Sequence, residues 1–272
     1  MTDHAEKARR FLALHHGEQP LLLPNPWDRG SAVLLAWLGF QALATTSSGF
    51  AATLGRLDGS VTREEAIGHA AGIAQATDLP VSADLENGFA DEPAGVAQTV
   101  RLALKAGLAG CSVEDFTGRQ DDPIYDAGLA TARVEAAAAA AHGSPVHLVL
   151  TARAENYLHG RPDLADTIAR LQAYQEAGAD VLYAPGLTHL EDIRQLVASV
   201  DRPVNVLARP GVPPVSELAA AGVHRVSVGG GFAFAALGAV VEAARELRED
   251  GTYTFWKGAS IGRQIAGAAF AS

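Results

Sequence analysis

The chain has 272 residues, of which 48% are hydrophobic and 19% charged, so it can bury a sizeable core and does not have the composition of a disordered protein. Its formal net charge of -10, with no segment rich in Lys and Arg, argues against nucleic acid or an anionic membrane as a main partner. The single cysteine, Cys111, cannot form an internal disulfide, and no apolar stretch is typical of a signal peptide or reaches the ~20 residues of a membrane span. A cytoplasmic location is therefore expected.

Short apolar runs alternate along the whole chain with amphipathic stretches rich in Ala, Leu, Glu and Arg. The short, often β-branched runs are typical of buried strands, and the longer amphipathic stretches are typical of helices. In chain order the predicted strands cover residues 21–23, 42–45, 81–84, 110–114, 147–153, 181–183, 204–207 and 225–228. A helical stretch is predicted after each of them.

Four segments share one pattern where a helix gives way to a strand: WLGFQALATT, KAGLAGCSVED, EAGADVLYAPG and AAGVHRVSVGG. In each, a glycine ends the helix in the left-handed conformation, and an apolar strand begins within a few residues. Eight strand–helix units with nearly continuous apolar strands predict an α/β protein, a (β/α)₈ TIM barrel that forms a single domain over residues 1–272. An open, doubly wound sheet is the alternative, but the first turn, LLLPNPWDRGS, lacks the glycine-rich phosphate motif of that fold.

Acidic side chains gather where consecutive predicted strands end. Asp84 and Glu86 end the third strand two residues apart, so both are expected on the same side of the strand. Glu114 ends the fourth strand, and Asp58 lies in the loop LGRLDGS. These ends form the catalytic face of such a barrel, where converging carboxylates repel one another unless a cation such as Mg²⁺ or Mn²⁺ is bound. The alternative is that the acids only cap the helices that follow.

Basic side chains lie at both ends of the predicted strands. Arg153 ends the fifth strand, where its planar guanidinium can hold a substrate carboxylate or form a structural ion pair with Glu155 or Glu114. His147 and His224 lie at the opposite ends of their strands, so both are expected to be structural.

Uncharged polar residues complete the predicted site. Thr45, Thr46 and Ser47 follow the second strand, where they can donate hydrogen bonds to an anion or form an ordinary strand–helix turn. Asn205 lies within the seventh strand and is a candidate for contacting a substrate carboxylate. Tyr183 ends the sixth strand and is a candidate proton donor. For both residues a structural role is equally well supported.

The same positions carry motifs that resemble the isocitrate lyase / phosphoenolpyruvate mutase superfamily. These are NPWDRGSA, TTSSGFAATLGRLDG, ADLENGFAD, SVEDFTG, LTARAENY and GADVLYAPG, in this order, over roughly residues 21–238. The resemblance implies a (β/α)₈ barrel, dependence on Mg²⁺, and a small 2-oxo acid or malate-like substrate. It also implies a homodimer or homotetramer in which the last helix is exchanged between subunits.

The resemblance also implies a role for each motif residue. Asp84 would be the direct metal ligand. The waters on the metal would be held by three further acids: Asp58, Glu86 and Glu114. Contacts to the anionic substrate would fall on five positions: Thr45, Thr46, Ser47, Arg153 and Asn205.

Two departures from the superfamily pattern narrow the activity. The lyases carry a Lys-Lys/Arg-Cys-Gly/Ser-His motif in the loop after the fourth strand, whereas residues 116–128 read FTGRQDDPIYDAG, with neither Cys nor His. Pro185 stands where the lyases have a glutamate after the sixth strand. The loop also lacks the Lys and Asn of the mutase and phosphonopyruvate hydrolase branches. No named activity therefore transfers directly.

The predicted function is that of a Mg²⁺-dependent C–C lyase or decarboxylase, acting on a small 2-oxo or 2-hydroxy di-acid through a metal-stabilised enolate. An oxaloacetate decarboxylase-like reaction is the simplest case, because it needs no loop Cys. The residues predicted to act in catalysis are Arg153, Glu114 and Tyr183. Two alternatives stay open: cleavage or migration at a P–C bond, as in phosphonopyruvate enzymes, and a barrel that binds an organic acid without turnover.

Overall fold

Eight parallel strands form one sheet whose two edges meet. The computed structural model describes residues 3–271, and the strand order is β1-β8-β7-β6-β5-β4-β3-β2. The amide of Ala44 in the second strand donates to the carbonyl of Pro24, just after the first strand, at 3.1 Å, and so joins the two edges. The strands are β1 Leu21–Leu23, β2 Leu43–Ala44, β3 Val81–Asp84, β4 Gly110–Glu114, β5 Val149–Arg153, β6 Val181–Tyr183, β7 Val204–Leu207 and β8 Arg225–Ser227. The predicted α/β barrel is confirmed.

Helices follow every strand, as predicted. Within residues 3–271 they are α1 His4–Leu14, α2 Arg29–Trp37, α3 Ser47–Thr53, α4 Arg63–Ala76, α5 Pro93–Lys105, α6 Ala127–His142, α7 Leu164–Glu176, α8 Leu190–Ala198, α9 Val215–Ala220, α10 Gly231–Glu249 and α11 Trp256–Phe270. Three strands are shorter than expected: β2, β5 and β8. The fifth begins at Val149 rather than at His147, because His147 turns its ring toward Asp180. None of the described helices has the length and apolar character needed to cross a membrane.

The four predicted helix–strand turns have the backbone that the glycines indicate. Gly39, Gly107, Gly178 and Gly222 have φ values of 91°, 82°, 102° and 82°, in the left-handed region that favours glycine. Each turn lies at the N-terminal end of the strand that follows. The strands therefore end together at the opposite rim, where the polar residues were predicted.

Two apolar clusters hold the barrel. The larger lies between the sheet and the outer helices and includes Val113, Leu150 and Leu182. The smaller closes the N-terminal end of the barrel, where Phe11 of α1 packs against Leu21 and other apolar residues of the strands. Apolar burial at this end leaves the C-terminal rim of the strands for polar side chains.

The last two helices carry large apolar side chains on the surface. On α10, Phe234 is 52% and Val240 63% exposed; on α11, Trp256 is 54% and Ile261 59% exposed. In this single chain α11 packs against α2. Exchange of the last helix between subunits stays a prediction, and the exposed apolar face is the surface on which it would occur.

Association through α10 and α11 predicts a mass of two or four chains of 28.2 kDa in light scattering after size exclusion. The double variant Val240→Glu/Trp256→Glu should be monomeric, because two buried carboxylates at the interface are costly to desolvate. Leu38→Glu, at a residue 54% exposed at the other end of the barrel, should keep the wild-type mass. A monomeric wild-type chain would contradict the prediction.

Candidate active site

A single guanidinium joins the ends of three neighbouring strands. The Nη1 atom of Arg153 lies 3.0 Å from Oδ1 of Asp84, and Nη2 lies 3.1 Å from Oε2 of Glu114. Its Nε atom donates to Oε1 of Glu155 at 2.8 Å. Burial lowers the pKa of Arg153, but Glu155, Glu114 and Asp84 raise it well above its usual value. The ion pairs with Glu114 and Glu155 that the sequence left open as an alternative are therefore present, together with one to Asp84.

The turn after β2 holds Asp84 in place. The hydroxyl of Thr45 accepts from the amide of Asp84 at 2.9 Å, and the amide of Ser47 donates to Oδ2 of Asp84 at 3.1 Å. Thr46 caps α3 by accepting from the amide of Gly49 at 3.3 Å. Thr45 and Ser47 thus hold Asp84 while Thr46 caps α3, and the predicted contact of all three with a substrate stays a prediction.

Glu86 lies in the site because of the turn after β3 and not because of its position along the strand. The strand β3 ends at Asp84, and Glu86 has a φ of 48°. The prediction that strand alternation places Asp84 and Glu86 on the same side of β3 is therefore wrong. Its Oε1 atom is buried and has no hydrogen-bond partner. Burial, and then the charges of Asp84 and Asp58, raise the pKa of Glu86 to about 8. A left-handed backbone at a residue other than glycine is a strain that recurs at functional sites.

The predicted metal ligands do not cap the helices that follow them. The residues at the N-termini of α5 and α6 are Glu92 and Asp126, rather than Asp84, Glu86 or Glu114. The alternative interpretation of these acids as helix caps is therefore wrong. Burial also raises the pKa of Glu114 well above its usual value, although Arg153 lowers it.

The acids do not form a site with three direct ligands. Within residues 3–271, one group of three His, Cys, Asp or Glu residues has ligand atoms that all lie within 4.8 Å of one another, and it lies at the other end of the barrel. No three of the predicted acids meet this criterion; these acids are Asp84, Glu86, Glu114 and the loop residue Asp58. This spacing suits an ion that takes one or two carboxylates directly and keeps its waters, as Mg²⁺ does.

Two adjoining cavities open at this face. One, of about 180 Å³, reaches into the barrel and is lined by Tyr183, Asn205 and Arg225. The other, of about 300 Å³, lies under the loops after β4 and β5. Arg153 borders both cavities. A larger cavity of about 710 Å³ lies at the N-terminal end of the barrel, away from the carboxylates.

A second buried arginine lies deeper in the barrel, and the sequence analysis missed it. Arg225 donates from Nε to Oδ1 of Asn205 at 2.9 Å and from Nη2 to the hydroxyl of Thr151 at 3.0 Å. Its Nη1 lies 3.0 Å from Nε2 of His15. Burial lowers the pKa of Arg225 to about 10. The Nδ2 group of Asn205 donates to the hydroxyl of Ser227 at 3.0 Å, which leaves its second hydrogen as a donor toward the cavity.

Tyr183 is buried beside Arg153. The carbon at the centre of the guanidinium lies 5.2 Å from the centre of the Tyr183 ring. Burial raises the pKa of the Tyr183 hydroxyl to about 12, with a smaller opposing effect from Arg153. The hydroxyl therefore keeps its proton at neutral pH, which a proton donor requires.

The loop of residues 116–128 is folded against the barrel. Phe116 pairs with Ile124 in an isolated antiparallel bridge, and the hydroxyl of Tyr125 donates to Asp91. Arg119 also lies near Asp91, at 3.5 Å. Phe116 and Gln120 line the outer cavity, so these are the loop residues that face the candidate site.

One histidine of the outer cavity also escaped the sequence analysis. His159 stacks on Phe116 with ring centres 3.7 Å apart, and its Nε2 atom lies 3.9 Å from Oε2 of Glu155. Burial, and then Arg153, lower the pKa of His159, which favours the neutral ring. The signal in the sequence was the spacing of four residues between Glu155 and His159 after a strand end.

The fold and site define a (β/α)₈ enzyme with carboxylates and a buried arginine at the C-terminal ends of its strands. Residues 11–248 match the phosphoenolpyruvate phosphomutase family, and the chain belongs to it. Its relatives in the isocitrate lyase / phosphoenolpyruvate mutase superfamily are lyases and mutases, and the chain is an enzyme of lyase type, as its motifs predict.

Three similar proteins illustrate the range of the superfamily. The chain is 31% identical to 2-methylisocitrate lyase of Escherichia coli K12, over 72% of this chain and 68% of that one. It is 27% identical to oxaloacetate decarboxylase 2 of Pseudomonas fluorescens Pf0-1, over 89% and 85%. A crystal structure from Burkholderia cenocepacia J2315, described only as a lyase/mutase, has 52% identity and a TM-score of 0.95, over 99% and 97%.

The layer around Arg225 predicts a specific sensitivity to acid. His15 donates from Nδ1 to the carbonyl of Phe11 at 2.8 Å, and burial followed by the charge of Arg225 lowers its pKa from 6.5 to about 3. Between these two pH values the unfolded chain binds a proton at His15 that the folded chain does not, so the free energy of unfolding falls as the pH falls. The free energy of unfolding, measured with urea, should fall less steeply for His15→Gln than for wild type as the pH is lowered. The two slopes should differ by about 1.4 kcal/mol per pH unit between about pH 6 and pH 4. Parallel curves for the two proteins would contradict this assignment.

Proposed function

We propose that the chain is a Mg²⁺-dependent lyase or decarboxylase of a small 2-oxo or 2-hydroxy di-acid, with decarboxylation of oxaloacetate as the simplest reaction. The observation that carries the proposal is the buried guanidinium of Arg153 among Asp84, Glu114 and Glu155. The likeness to an oxaloacetate decarboxylase along most of the chain supports the choice of substrate.

The residues of the site fit a divalent cation. Glu86 has a buried oxygen without a partner, and several carboxylates surround one guanidinium, so negative charge is in excess. Asp84 would hold the ion directly, and its waters would be held by three acids: Asp58, Glu86 and Glu114. When bound, Mg²⁺ supplies a Lewis acid for the carboxylate and 2-oxo group of the substrate, and Mn²⁺ has the same preference for oxygen ligands.

Arg153 and its neighbours bind and orient the substrate in this proposal. The guanidinium of Arg153 takes a substrate carboxylate and stabilises negative charge on the reacting oxygen, while Glu114 keeps the guanidinium oriented. Asn205 is oriented by Arg225 and Ser227, and the second hydrogen of its Nδ2 group donates to the second carboxylate. The turn of Thr45, Thr46 and Ser47 keeps Asp84 fixed and borders the same cavity.

Tyr183 supplies the proton that completes the reaction. Loss of CO₂ from oxaloacetate breaks one C–C bond and leaves the electron pair on the enolate of pyruvate. Protonation of its carbon by the Tyr183 hydroxyl gives pyruvate, and solvent returns the proton to the tyrosine. This route needs neither the Cys nor the His that the loop of residues 116–128 lacks.

Purified protein with Mg²⁺ should release pyruvate from oxaloacetate faster than Mg²⁺ alone, measured with a coupled lactate dehydrogenase assay. Asp84→Ala should lower the rate above background at least about 100-fold, because it removes the predicted metal ligand and a partner of Arg153. Asp201→Ala, at an exposed aspartate outside the site, is the matched control and should keep the wild-type rate.

Equal rates for wild type and Asp84→Ala would refute the proposal. Turnover of phosphonopyruvate but not oxaloacetate, followed by phosphorus NMR, would favour the P–C alternative. Binding of oxalate without turnover of any 2-oxo acid would favour a barrel that only binds organic acids.

A further inference from the structure

Two histidines and an aspartate form a cluster at the N-terminal end of the barrel, opposite the candidate active site. His142 is the last residue of α6, His147 precedes β5, and Asp180 precedes β6. These segments are the turns that lead into two neighbouring strands. The cluster therefore shares no residue with the site at the other rim.

The two imidazoles contact the same carboxylate. Nε2 of His142 lies 3.0 Å from Oδ2 of Asp180, and Nε2 of His147 lies 2.9 Å from Oδ1. The two rings stack with their centres 4.1 Å apart and their planes 9° apart. Within residues 3–271, this is the one group of three His, Cys, Asp or Glu residues whose ligand atoms all lie within 4.8 Å of one another.

Asp180 is held by a backbone hydrogen bond, and the two histidine rings are accessible to solvent. Oδ2 of Asp180 also accepts from the amide of Leu150 at 2.8 Å, which fixes the carboxylate against the barrel. The side chains of His142 and His147 are 28% and 40% exposed, whereas that of Asp180 is 11% exposed. An ion can therefore approach from solvent, and water can complete its coordination.

We propose that His142, His147 and Asp180 bind a divalent transition-metal ion such as Zn²⁺, in a site separate from the predicted Mg²⁺ site. Two imidazole nitrogens and one carboxylate oxygen suit Zn²⁺, Co²⁺ or Ni²⁺, whereas Mg²⁺ prefers oxygen ligands. To bind one ion, the two partly exposed rings would rotate until both Nε2 atoms point toward it beside Asp180. Each imidazole then carries its proton on Nδ1, and the metal replaces two hydrogen bonds.

The bound ion would join the end of α6 to the turns before β5 and β6. Because it binds the folded chain in preference to the unfolded one, the ion should raise the midpoint of thermal unfolding, and the rise should grow with the logarithm of its concentration above the Kd. This effect does not depend on what the other rim of the barrel catalyses.

The test is calorimetric titration with Zn²⁺ of chain treated with EDTA and returned to excess Mg²⁺. The titration is repeated in the Asp84→Asn background, so that Zn²⁺ binding by the active-site acids is reduced. Wild type should bind one more equivalent of Zn²⁺ than His142→Gln/His147→Gln, or bind it at least about tenfold more tightly. His189→Gln, at an exposed histidine outside the cluster, should bind like wild type.

Circular dichroism should show that the double variant is folded, and the rise in thermal midpoint with Zn²⁺ should be absent from it. If the double variant does not fold, His147→Gln alone, at the more exposed ring, provides the same comparison. Zn²⁺ stoichiometry, affinity and thermal shift that are equal in wild type and the histidine variants would overturn the proposal.

Discussion

The candidate site depends on a buried guanidinium that is shared by carboxylates from three consecutive strands. Removing Arg153 from water is costly, and only close anionic partners offset that cost. Asp84, Glu114 and Glu155 provide them at distances of 2.8–3.1 Å. The same contacts bring acids together that would otherwise repel one another, so the arginine and the carboxylates stabilise a common arrangement.

The barrel supports this arrangement from below with a layer of neutral acceptors. Arg225 is buried like Arg153, yet its partners are Asn205, Thr151 and His15 rather than carboxylates. The two arginines thus differ in their surroundings. One is neutralised by the acids of the rim, and the other orders the amide of Asn205 beneath the cavity. The negative charge is therefore concentrated at the rim, where a cation is predicted to bind.

Most of the fold could be predicted from the sequence, because its signals are local. Apolar runs marked the strands, and glycines such as Gly107 and Gly178 marked the turns before them through their left-handed backbone. Parallel strands end at one rim, so Asp84 and Glu114 could be expected near each other before the structure was known. The predicted bounds of β2, β5 and β8 were too long, because pairing and side-chain contacts decide where a strand ends.

The missed features depend on contacts between distant segments. The left-handed conformation of Glu86 is set by its turn, and strand alternation cannot indicate it. His159 lies in the site because it stacks on Phe116 of another loop. Arg225 has the sequence position of an ordinary strand residue, and only the closed barrel brings it to His15. The cluster of His142, His147 and Asp180 likewise joins two turns that are distant in sequence, and His147 had been predicted to be only structural.

The central claim is that the carboxylates hold a divalent cation that a small di-acid then contacts. Calorimetric titration with oxalate, a flat mimic of the pyruvate enolate, tests it without relying on turnover. Oxalate should bind in the presence of Mg²⁺, and this binding should be lost on adding EDTA and in Asp84→Asn. Equal oxalate affinity with Mg²⁺ and with EDTA, or in wild type and Asp84→Asn, would contradict the account.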